Sequence, residues 1–457
     1  MAAGAPPLVI RGGQMFDAAS GRMVPSGTIV IEGDRIRSIT REGDAVVSPP
    51  GAQVIDARGK FLIPGLIDGH VHLVHILRNM QITADEIFPL FLANGVTTLR
   101  DVGDEVVAQK LLFKYTEVHP ESAPRLFMCS PLVDGNPPYH PFISLPITDP
   151  AKVPAFVDEM SGWGVQTFKI YVGTDRAVGQ AVIREAHRHG KRVTAHLAWN
   201  YRARDAVEDG IDSIEHIGSI FEFILPPETP RWPPPAERVG IPADVLAGME
   251  RRILEIKARV DLTQPRTTGL VEALVRHKVA VSPTLVVYRN WMLLRDRPEV
   301  QQHPDLQQIP ARLREGWLLS AKYVKIDLAT QGLRQQQFAK LQELTGLLYH
   351  AGVELLAGTD TPVQFCPPGS AMHQELELLV GSGLPPAAAL TAATLNNARA
   401  LNQAECLGSI EAGKLADVVI LEANPLEDIR NTRKIFRVIR SGIVCDPAVL
   451  RQSVSAN

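Results

Sequence analysis

The pair His70 and His72, in the segment GLIDGHVHL, has the residue type and spacing of a metal site. The two histidines flank Val71 near the end of an apolar run, and alternation along a strand places both imidazoles on one face. Imidazole nitrogen is the commonest ligand of transition metals in proteins. Taken alone, the pair also fits two unrelated histidines, so a metal site needs further ligands.

Four further residues that could bind a metal or change its surroundings lie in other apolar runs. Asp360 ends the run VELLAGTD, where it could be a ligand or could open a turn before Pro362. His196 in RVTAHLAW and His216 in DSIEHIG could be ligands or buried histidines bonded to the backbone. Lys169 in QTFKIYVG is harder to explain, since a buried ammonium group needs a partner or must lose its charge.

Eight short apolar runs alternate with helical patterns between residues 65 and 360. Such alternation is typical of repeated strand and helix units, and eight of them close a (β/α)8 TIM barrel. The predicted strands are 65–73, 95–103, 125–130, 166–173, 192–199, 212–218, 279–287 and 353–360. The sequence therefore predicts an α/β fold built on this barrel.

All six candidate residues fall at or near the end of a predicted strand, where barrel enzymes keep their active sites. They belong to strands one, four, five, six and eight, with two of them on strand one. One shared site explains these positions better than six separate coincidences. Imidazole and carboxylate ligands suit zinc, manganese, iron, cobalt or nickel, and the sequence does not choose among them.

Both ends of the chain carry short strands separated by Gly, Asp and Pro, as in LVIRGGQMFD and LADVVILEANP. We expect residues 1–62 and 408–457 to pair as one small β-sandwich, with a barrel of residues 63–407 inserted between them. Two intervals of this barrel, 219–268 and 288–333, are too long for plain connections. Each follows the carboxyl end of a strand, so we expect both over the barrel mouth.

The composition favours a small-molecule substrate. A net charge of −3, with acidic and basic residues interspersed, argues against nucleic acid and membranes as partners. The four cysteines are scattered, as in proteins of a reducing compartment. The first residues lack the apolar core of a secretory signal, and no apolar run reaches the roughly 18 residues that span a membrane. We therefore expect a cytoplasmic protein, and we also expect a homo-oligomer.

From its N-terminal strands through LIPGLIDGHVHL to the tail LGSIEAGKLADVVILEANP, the chain resembles the amidohydrolase superfamily. In that family the HxH pair and the strand-eight Asp hold one metal ion, and two further histidines hold a second. A strand-four lysine, carboxylated by carbon dioxide, bridges the two ions. The resemblance implies two divalent ions, with zinc expected, and the metal ligands His70, His72, Lys169, His196, His216 and Asp360.

The chemistry that this resemblance implies is hydrolysis. A carbamate on Lys169 turns a buried cation into an anion that two divalent ions stabilise. A hydroxide between the ions is a strong nucleophile, because metal binding lowers the pKa of water from about 15.7 to about 7. Asp360 is then the catalytic residue that takes the proton of the nucleophile and passes it to the leaving group.

The segments FKIYVG, VTAHLAW and DSIEHIG resemble more specifically the branch of imidazolonepropionase-like and Xaa-Pro dipeptidase-like proteins. True imidazolonepropionases lack the bridging lysine, so Lys169 favours the dipeptidase-like, two-metal side. Some prolidase-like members carry a substrate-binding Tyr just after the strand-six histidine, whereas His216 is followed here by IGSIFEF. A strict Xaa-Pro specificity is therefore not implied.

Substrate contacts must come from the loops that follow the strands. Tyr139 and His140, in DGNPPYHPF after strand three, could polarise the scissile carbonyl or could belong to a surface turn. Tyr288 and Arg289, after strand seven, could bind a substrate carboxylate or could belong to a solvated loop.

We predict hydrolysis of an amide bond in a small molecule, either a dipeptide or an N-acyl amino acid, by metal-bound hydroxide. An alternative is an enzyme that opens a cyclic amide, lactone or imidazolone ring with the same metals. A second alternative, from another class, is a non-catalytic barrel scaffold, although the six intact ligand positions argue against it. A third is a single-metal enzyme in which Lys169 stays unmodified.

Overall fold

The computed structural model describes residues 6–41, 44, 48–198, 200–233, 238–294, 302–323 and 328–455. The centre of the molecule consists of eight parallel strands, which are called the core strands below. They are Leu66–Val71, Val96–Asp101, Arg125–Phe127, Cys129–Asp134, Thr167–Ile170, Arg192–Ala195, Ser213–Glu215 and Ala280–Ser282. Nearly all their side chains are buried, as expected for parallel strands that are covered on both faces.

The core strands pair in chain order within two sheets. One sheet runs from Leu66–Val71 to Arg125–Phe127, and the other runs from Cys129–Asp134 to Ala280–Ser282. Only Met128 separates the two sheets along the chain, so Arg125–Phe127 and Cys129–Asp134 together stand in the place of the predicted strand 125–130, and the eight core strands correspond to the first seven predicted strands. A short strand, Ser144–Pro146, extends the second sheet at its edge by pairing with Cys129–Asp134. The fold is therefore an α/β fold with a parallel centre, as predicted.

The eighth predicted strand differs from the prediction. Residues 353–361 form two isolated parallel bridges, at Leu355 to the last core strand and at Thr361 to the first. Asp360 adopts a positive φ of 55°, and Gly358 lies so close to the first core strand that a Cβ would not fit. These two features interrupt the extended geometry that a regular strand requires. The bridges still connect the last core strand to the first.

Helices follow most core strands and fill the remaining chain. Helix Arg176–Arg188 is representative, because its buried Val178, Val182 and Ala186 recur at four-residue spacing. The longer α-helices are Ala84–Ala93, Val106–Val118, Val153–Trp163, Arg176–Arg188, Ile217–Ile224, Ala243–Ala258, Pro265–His277, Ala311–Tyr323, Gln331–His350, Ser370–Gly381 and Pro447–Ser455. The shorter ones are Val74–Met80, Ala203–Glu208, Leu285–Arg289, Pro304–Gln307, Pro386–Thr391 and Asn397–Ala400. Single turns of other helix types are Pro150–Lys152, Asn290–Leu294, Leu328–Thr330, Ala392–Asn396 and Ile429–Arg433.

The two ends of the chain build two further sheets. The first contains, in spatial order, Arg35–Ile39, Thr28–Glu32, Leu8–Arg11 and Gln53–Asp56. The second contains Ile443–Cys445, Ile435–Arg440, Val418–Leu421, Phe61–Pro64, Gln14–Asp17 and Arg22–Pro25. One apolar cluster joins Ile10 and Ile31 of the first sheet to Leu62 and Ile420 of the second. The N-terminal and C-terminal strands therefore share one core, while the domain boundaries at 62 and 407 stay a prediction.

The two long intervals, 219–268 and 288–333, are largely helical where the structure describes them. Residues 234–237, 295–301 and 324–327 of these intervals lie outside the described residues. Among the helices that are described, none combines the length and the apolarity that crossing a lipid bilayer requires.

Candidate metal centre

The ends of the core strands bring four histidine rings together. The ring centroids of His70 and His216 lie 4.6 Å apart, and those of His196 and His216 lie 4.4 Å apart. The ring of His72 lies 5.4 Å from that of His70. The four imidazoles that the sequence singled out thus form one cluster, although they come from three separate core strands.

Asp360 faces two of these rings with one carboxylate oxygen. Its Oδ1 atom lies 3.4 Å from Nε2 of His70 and 3.5 Å from Nε2 of His72. The three donor atoms lie within 4.8 Å of one another, a spacing that a single metal ion could occupy. This group matches the three residues that the resemblance implied for the first metal ion.

Hydrogen bonds fix the orientation of His70 and His72. Nδ1 of His70 lies 2.7 Å from Oε2 of Glu215, and Nδ1 of His72 lies 3.0 Å from the carbonyl oxygen of Gly103. Both partners accept, so both Nδ1 atoms donate and both Nε2 atoms face Asp360. Metal-binding histidines commonly donate their second ring N–H in this way, which sets the tautomer and the ring orientation.

Glu215 connects His70 to a buried polar network. Its other oxygen, Oε1, accepts hydrogen bonds from Arg100 and from Thr194 Oγ1, and Nε of Arg100 donates to the carbonyl of Gly69. Burial opposes ionisation of Glu215, but the Arg100 guanidinium, His70 and Lys169 together outweigh it and hold the pKa of the carboxyl well below its ordinary value. Sequence reasoning missed this pair, although an Arg and a Glu inside the apolar runs TTLRDVG and DSIEHIG were a signal for it.

Lys169 is fully buried on the core strand Thr167–Ile170. Within the described chain its Nζ atom has no hydrogen-bond partner, and burial lowers the pKa of the amine below its ordinary value. An unpartnered charged amine in a protein interior carries a large desolvation cost. An amine of this kind, held among imidazoles, fits a carboxylated lysine that bridges metal ions.

The remaining two histidines are suited to bind metal in their neutral form. Burial, reinforced by Lys169, lowers the pKa of His196 to about 3. Burial also lowers the pKa of His216 well below its ordinary value, and the ring of His196 adds to the effect. Neutral imidazole is the form that binds a metal ion, so the donor set of this cluster fits a divalent transition metal.

Three non-glycine residues next to the cluster adopt positive φ angles. They are His216 at 64°, Thr284 at 49° and Asp360 at 55°. Nδ1 of His216 also lies 2.8 Å from Oγ1 of Thr284. Left-handed conformations are uncommon for such residues and concentrate at functional sites, where surrounding contacts maintain them.

Two buried side chains tie the first core strand to the run that carries Asp360. Asp68 accepts hydrogen bonds from the backbone N–H of His70 and from both the N–H and the hydroxyl of Thr359. Nδ2 of Asn397 donates to the carbonyl of Ile67 on the first core strand at 2.7 Å and to the carbonyl of Ala357 on the facing run at 2.8 Å. These contacts fix His70 and Asp360 relative to each other.

A pocket of about 340 Å³ opens directly above the cluster. Its described lining consists of His72, Asn79, Leu132, His140, Phe142, Ile143, Tyr171, His196, His216, Val287, Tyr288, Trp291, Asp360 and Val363. A larger cavity of about 670 Å³ lies at the opposite ends of the core strands, where Arg192, Ser213 and Ala280 begin three of them. The smaller pocket therefore holds the candidate site, and the larger one is lined by none of the predicted site residues.

Two of the four predicted substrate residues, His140 and Tyr288, line this pocket. Tyr139 does not, and its side chain is 53% exposed beside the ring of His140. Arg289 lines a separate small cavity, where its guanidinium donates to Gln374 and to Oδ1 of Asn290. The structure thus brings half of the predicted substrate contacts to the site.

Tyr171 is a lining residue that sequence reasoning did not single out. Its ring lies 5.2 Å from that of His196 and 5.6 Å from that of His140. Burial raises the pKa of Tyr171 above its ordinary value, so the phenol keeps its proton and can donate it in a hydrogen bond. Its position two residues after Lys169, on the same face of a strand, was the available signal.

The model of the amidohydrolase family matches residues 340–444 of this chain. Imidazolonepropionase of Anaeromyxobacter dehalogenans (strain 2CP-C) is 48% identical over 54 residues, which cover 11% of this chain and 13% of that protein. The matched segments of the first curated relatives cover only 13% to 16% of their length. Sequence similarity to curated proteins is therefore local.

Similarity of fold extends over almost the whole chain. A solved Xaa-Pro dipeptidase with bound methionine has a TM-score of 0.67 at 21% identity, covering 96% of this chain and 100% of its own. The bottromycin amidohydrolase has a TM-score of 0.72 at 23% identity, covering 98% and 90%. At these identities the likeness shows the fold alone. Together with the family model over residues 340–444, it confirms the predicted resemblance to the amidohydrolase superfamily.

Proposed function

We propose that this protein is a metal-dependent hydrolase that cleaves an amide bond of a small molecule. The observation that carries the proposal is the convergence of six side chains at the base of one pocket. Two of them, His70 and His72, present Nε2 to Asp360 at 3.4 and 3.5 Å. Beside them lie two further imidazoles and a buried lysine amine without a hydrogen-bond partner in the described chain.

The fold that we propose for this activity is a closed (β/α)8 barrel with a β-sandwich built from both chain ends. The bridges at Leu355 and Thr361 support closure, because they connect the last core strand to the first. The shared apolar cluster of the terminal sheets supports the sandwich. The proposed domains are 1–62 and 408–457 for the sandwich and 63–407 for the barrel.

We propose the ligands as they follow from the resemblance. His70, His72 and Asp360 would hold one divalent ion, His196 and His216 a second, and a carbamate on Lys169 would bridge them, with zinc as the expected metal. Bound there, the ions would supply an activated water and would polarise the carbonyl of the substrate.

The residues of the chain then have separate tasks. Asp360 would take a proton from the attacking water through a carboxylate oxygen and would release it to the leaving nitrogen as the C–N bond breaks. His140 and Tyr171 line the pocket and can donate hydrogen bonds to the carbonyl oxygen, on which negative charge develops. Glu215 acts only through His70, whose tautomer and orientation it fixes.

A second candidate function is the opening of a ring, namely a cyclic amide, lactone or imidazolone. The local similarity to an imidazolonepropionase favours it, at 48% identity over 54 residues. The same ligands would serve both reactions, so the substrate decides between them.

A panel assay tests the proposal. Metal-loaded protein and chelator-treated protein would be incubated with dipeptides, N-acyl amino acids, N-acyl amines, cyclic amides and lactones, and the products followed by mass spectrometry. We expect linear amides to be cleaved only by the loaded protein. Cleavage of rings alone would favour the second candidate. Loaded protein that is inert towards the whole panel would support a non-catalytic scaffold instead.

A further inference from the structure

On the basis of the proposed amide hydrolysis, we infer that the pocket selects substrates that carry no free carboxylate and that present an apolar or aryl group to Phe142 and Trp291. The sequence predicted a dipeptide or an N-acyl amino acid, both of which carry a carboxylate. Apart from the metal ions proposed at its base, the described lining of the pocket gives such a group no cationic side chain as a partner.

The side chains that line the pocket include few charged groups. Among the fourteen described lining residues of the 340 Å³ pocket there is no Arg and no Lys, and the formally charged residue is Asp360. Away from the proposed metal ions, a substrate carboxylate in this pocket would meet uncharged side chains such as Phe142, Val287 and Trp291, without the bidentate partner that Arg supplies at carboxylate sites. Transfer of an unpaired carboxylate from water to such surroundings is costly, so uncharged substrates are favoured.

The sequence predicted that Arg289 could bind a substrate carboxylate. Its hydrogen bonds instead hold its guanidinium in a neighbouring cavity. Its guanidinium donates to Gln374, and its Nε donates to Asn290 at 3.0 Å. Asn290 in turn donates to the carbonyl oxygen of Phe365 at 2.6 Å. These bonds hold Arg289 in the neighbouring cavity with Asp305, while the adjacent Tyr288 points into the pocket.

The rim of the pocket supplies the second, independent observation. Phe142 is 81% exposed and Trp291 is 48% exposed, although both are large aromatic residues. They come from different segments, Phe142 from the loop after Cys129–Asp134 and Trp291 from the helical turn Asn290–Leu294, and still line the same pocket. Exposed apolar groups that converge on a pocket are typical of a surface that a ligand covers.

The size of the pocket agrees with a compact substrate. A volume of 340 Å³ lies at the lower end of the range of about 300 to 1,000 Å³ that small-molecule sites occupy. An acyl group over the candidate metal centre and one aryl group between the two aromatic rim residues would fill it. The inferred class is therefore neutral N-acyl amines and anilides.

Two matched substrate pairs test the inference. In the first pair, cleavage of the acetanilide bond is compared between 4-acetamidobenzamide and 4-acetamidobenzoate; in the second, cleavage of the acetyl group is compared between N-acetylphenylalanine amide and N-acetylphenylalanine. We expect kcat/KM of metal-loaded protein to be at least about tenfold higher for the neutral member of each pair. Equal or faster cleavage of the carboxylates, or cleavage of free dipeptides alone, would overturn the inference and leave the proposed function intact. Failure to cleave any amide would overturn the proposed function itself.

Variants of the rim give the inference a second test that does not depend on one pair. We expect Phe142→Ala to lower kcat/KM for 4-acetamidobenzamide about tenfold, mainly through KM, because apolar contact with the aryl ring is lost. Trp291→Arg should shift the ratio of the two kcat/KM values towards 4-acetamidobenzoate by at least about tenfold. Leu111→Ala, on the outer helix Val106–Val118 and 64% exposed, is the control that should change neither. An unchanged ratio in Trp291→Arg with unchanged activity in Phe142→Ala would contradict the inferred role of the rim.

Discussion

Glu215 is not a predicted metal ligand, but it fixes the orientation of the predicted ligand His70. It accepts hydrogen bonds from His70 at 2.7 Å, from Thr194 at 2.6 Å and from Arg100, and it is fully buried. The carboxylate sets which nitrogen of His70 keeps its proton, and therefore which nitrogen faces Asp360. A neutral amide at this position would hold the imidazole less firmly and would leave Arg100 without its charged partner.

The first prediction follows from this role. Glu215→Gln should weaken metal binding by about 10- to 100-fold, as loss of a carboxylate behind a metal-binding histidine commonly does. Competition with a chromophoric chelator would measure the affinity, and circular dichroism would verify that the variant folds. Glu159→Gln, on the exposed side of helix Val153–Trp163, is the control and should bind metal like the wild type. Equal affinities of the two variants would rule out the positioning role.

The site residues divide into those that the sequence could indicate and those that it could not. The candidate ligands end apolar runs, and the carboxyl ends of parallel strands share one edge, so chain order alone brings His70, His196 and His216 together. The direction of the Arg289 side chain could not be predicted from the sequence. It depends on hydrogen bonds to Gln374 and Asn290 that only tertiary packing creates. The contact between the rings of Tyr171 and His140 could not be predicted for the same reason, because it also arises from tertiary packing.

The junction between the first core strand and residues 353–361 is the element on which ligand geometry depends most. Gly69 lies between His70 and Asp68, and a Cβ at this position would come within 2.7 Å of Oδ1 of Asn397 and 2.9 Å of the carbonyl of Ala357. The backbone of the two runs can approach only because this residue lacks a side chain. The close approach brings His70 and Asp360 to one metal site.

The second prediction concerns this contact. Gly69→Ala should lower the free energy of unfolding by about 1 to 3 kcal/mol through overpacking, and it should also weaken metal binding. Gly162→Ala is the control, because nothing lies within 4 Å of its Cβ position in helix Val153–Trp163, and it should be neutral or stabilise by up to about 1 kcal/mol. Chemical denaturation and chelator competition would measure both effects. A Gly69→Ala protein with wild-type stability and affinity would disprove the tight junction.

Helix Leu285–Arg289, which carries Tyr288 to the pocket, begins without a side-chain cap from its own N-cap residue, Thr284. The side chain of Thr284 contacts His216, and Glu375 from helix Ser370–Gly381 accepts the backbone N–H groups of Leu285 and Val286 at 3.0 and 2.7 Å. Burial outweighs these two bonds and raises the pKa of Glu375 to about 8, against 4.5 for an ordinary Glu.

The third prediction is a pH dependence with a defined sign. Because the folded state keeps a proton on Glu375 that the unfolded chain releases, this residue stabilises the fold below about pH 4.5, and the contribution is lost as pH rises towards 8. In chelator-treated protein, the free energy of unfolding of the wild type relative to Glu375→Gln should fall by up to about 1.4 kcal/mol per pH unit over this range. Denaturant titrations at pH 5.5 and 7.5 would measure the difference. A difference that does not change with pH would contradict the assignment.

On the scale of the whole molecule, strands from the two chain ends pair in one sheet. Val418–Leu421 pairs with Phe61–Pro64, only two residues before the first core strand begins. This architecture could be anticipated from the sequence, because short strands punctuated by Gly and Pro appear at both ends and helical periodicity appears between them. The irregular run 353–361 could not be predicted. Its two bridges take the place of a regular strand because Gly358 packs closely against the first core strand, and the pattern of apolar residues does not encode such a contact.

We propose one metal centre, with Lys169 as its bridge, formed by His70, His72, Lys169, His196, His216 and Asp360. Metal analysis by plasma mass spectrometry of the wild type, of Lys169→Ala and of the exposed control Lys152→Ala tests it most directly. We expect two divalent ions per chain in the wild type and the control, and loss of bound metal together with activity in a folded Lys169→Ala protein. A wild type that binds no divalent ion, or a Lys169→Ala variant that retains both ions, would contradict it.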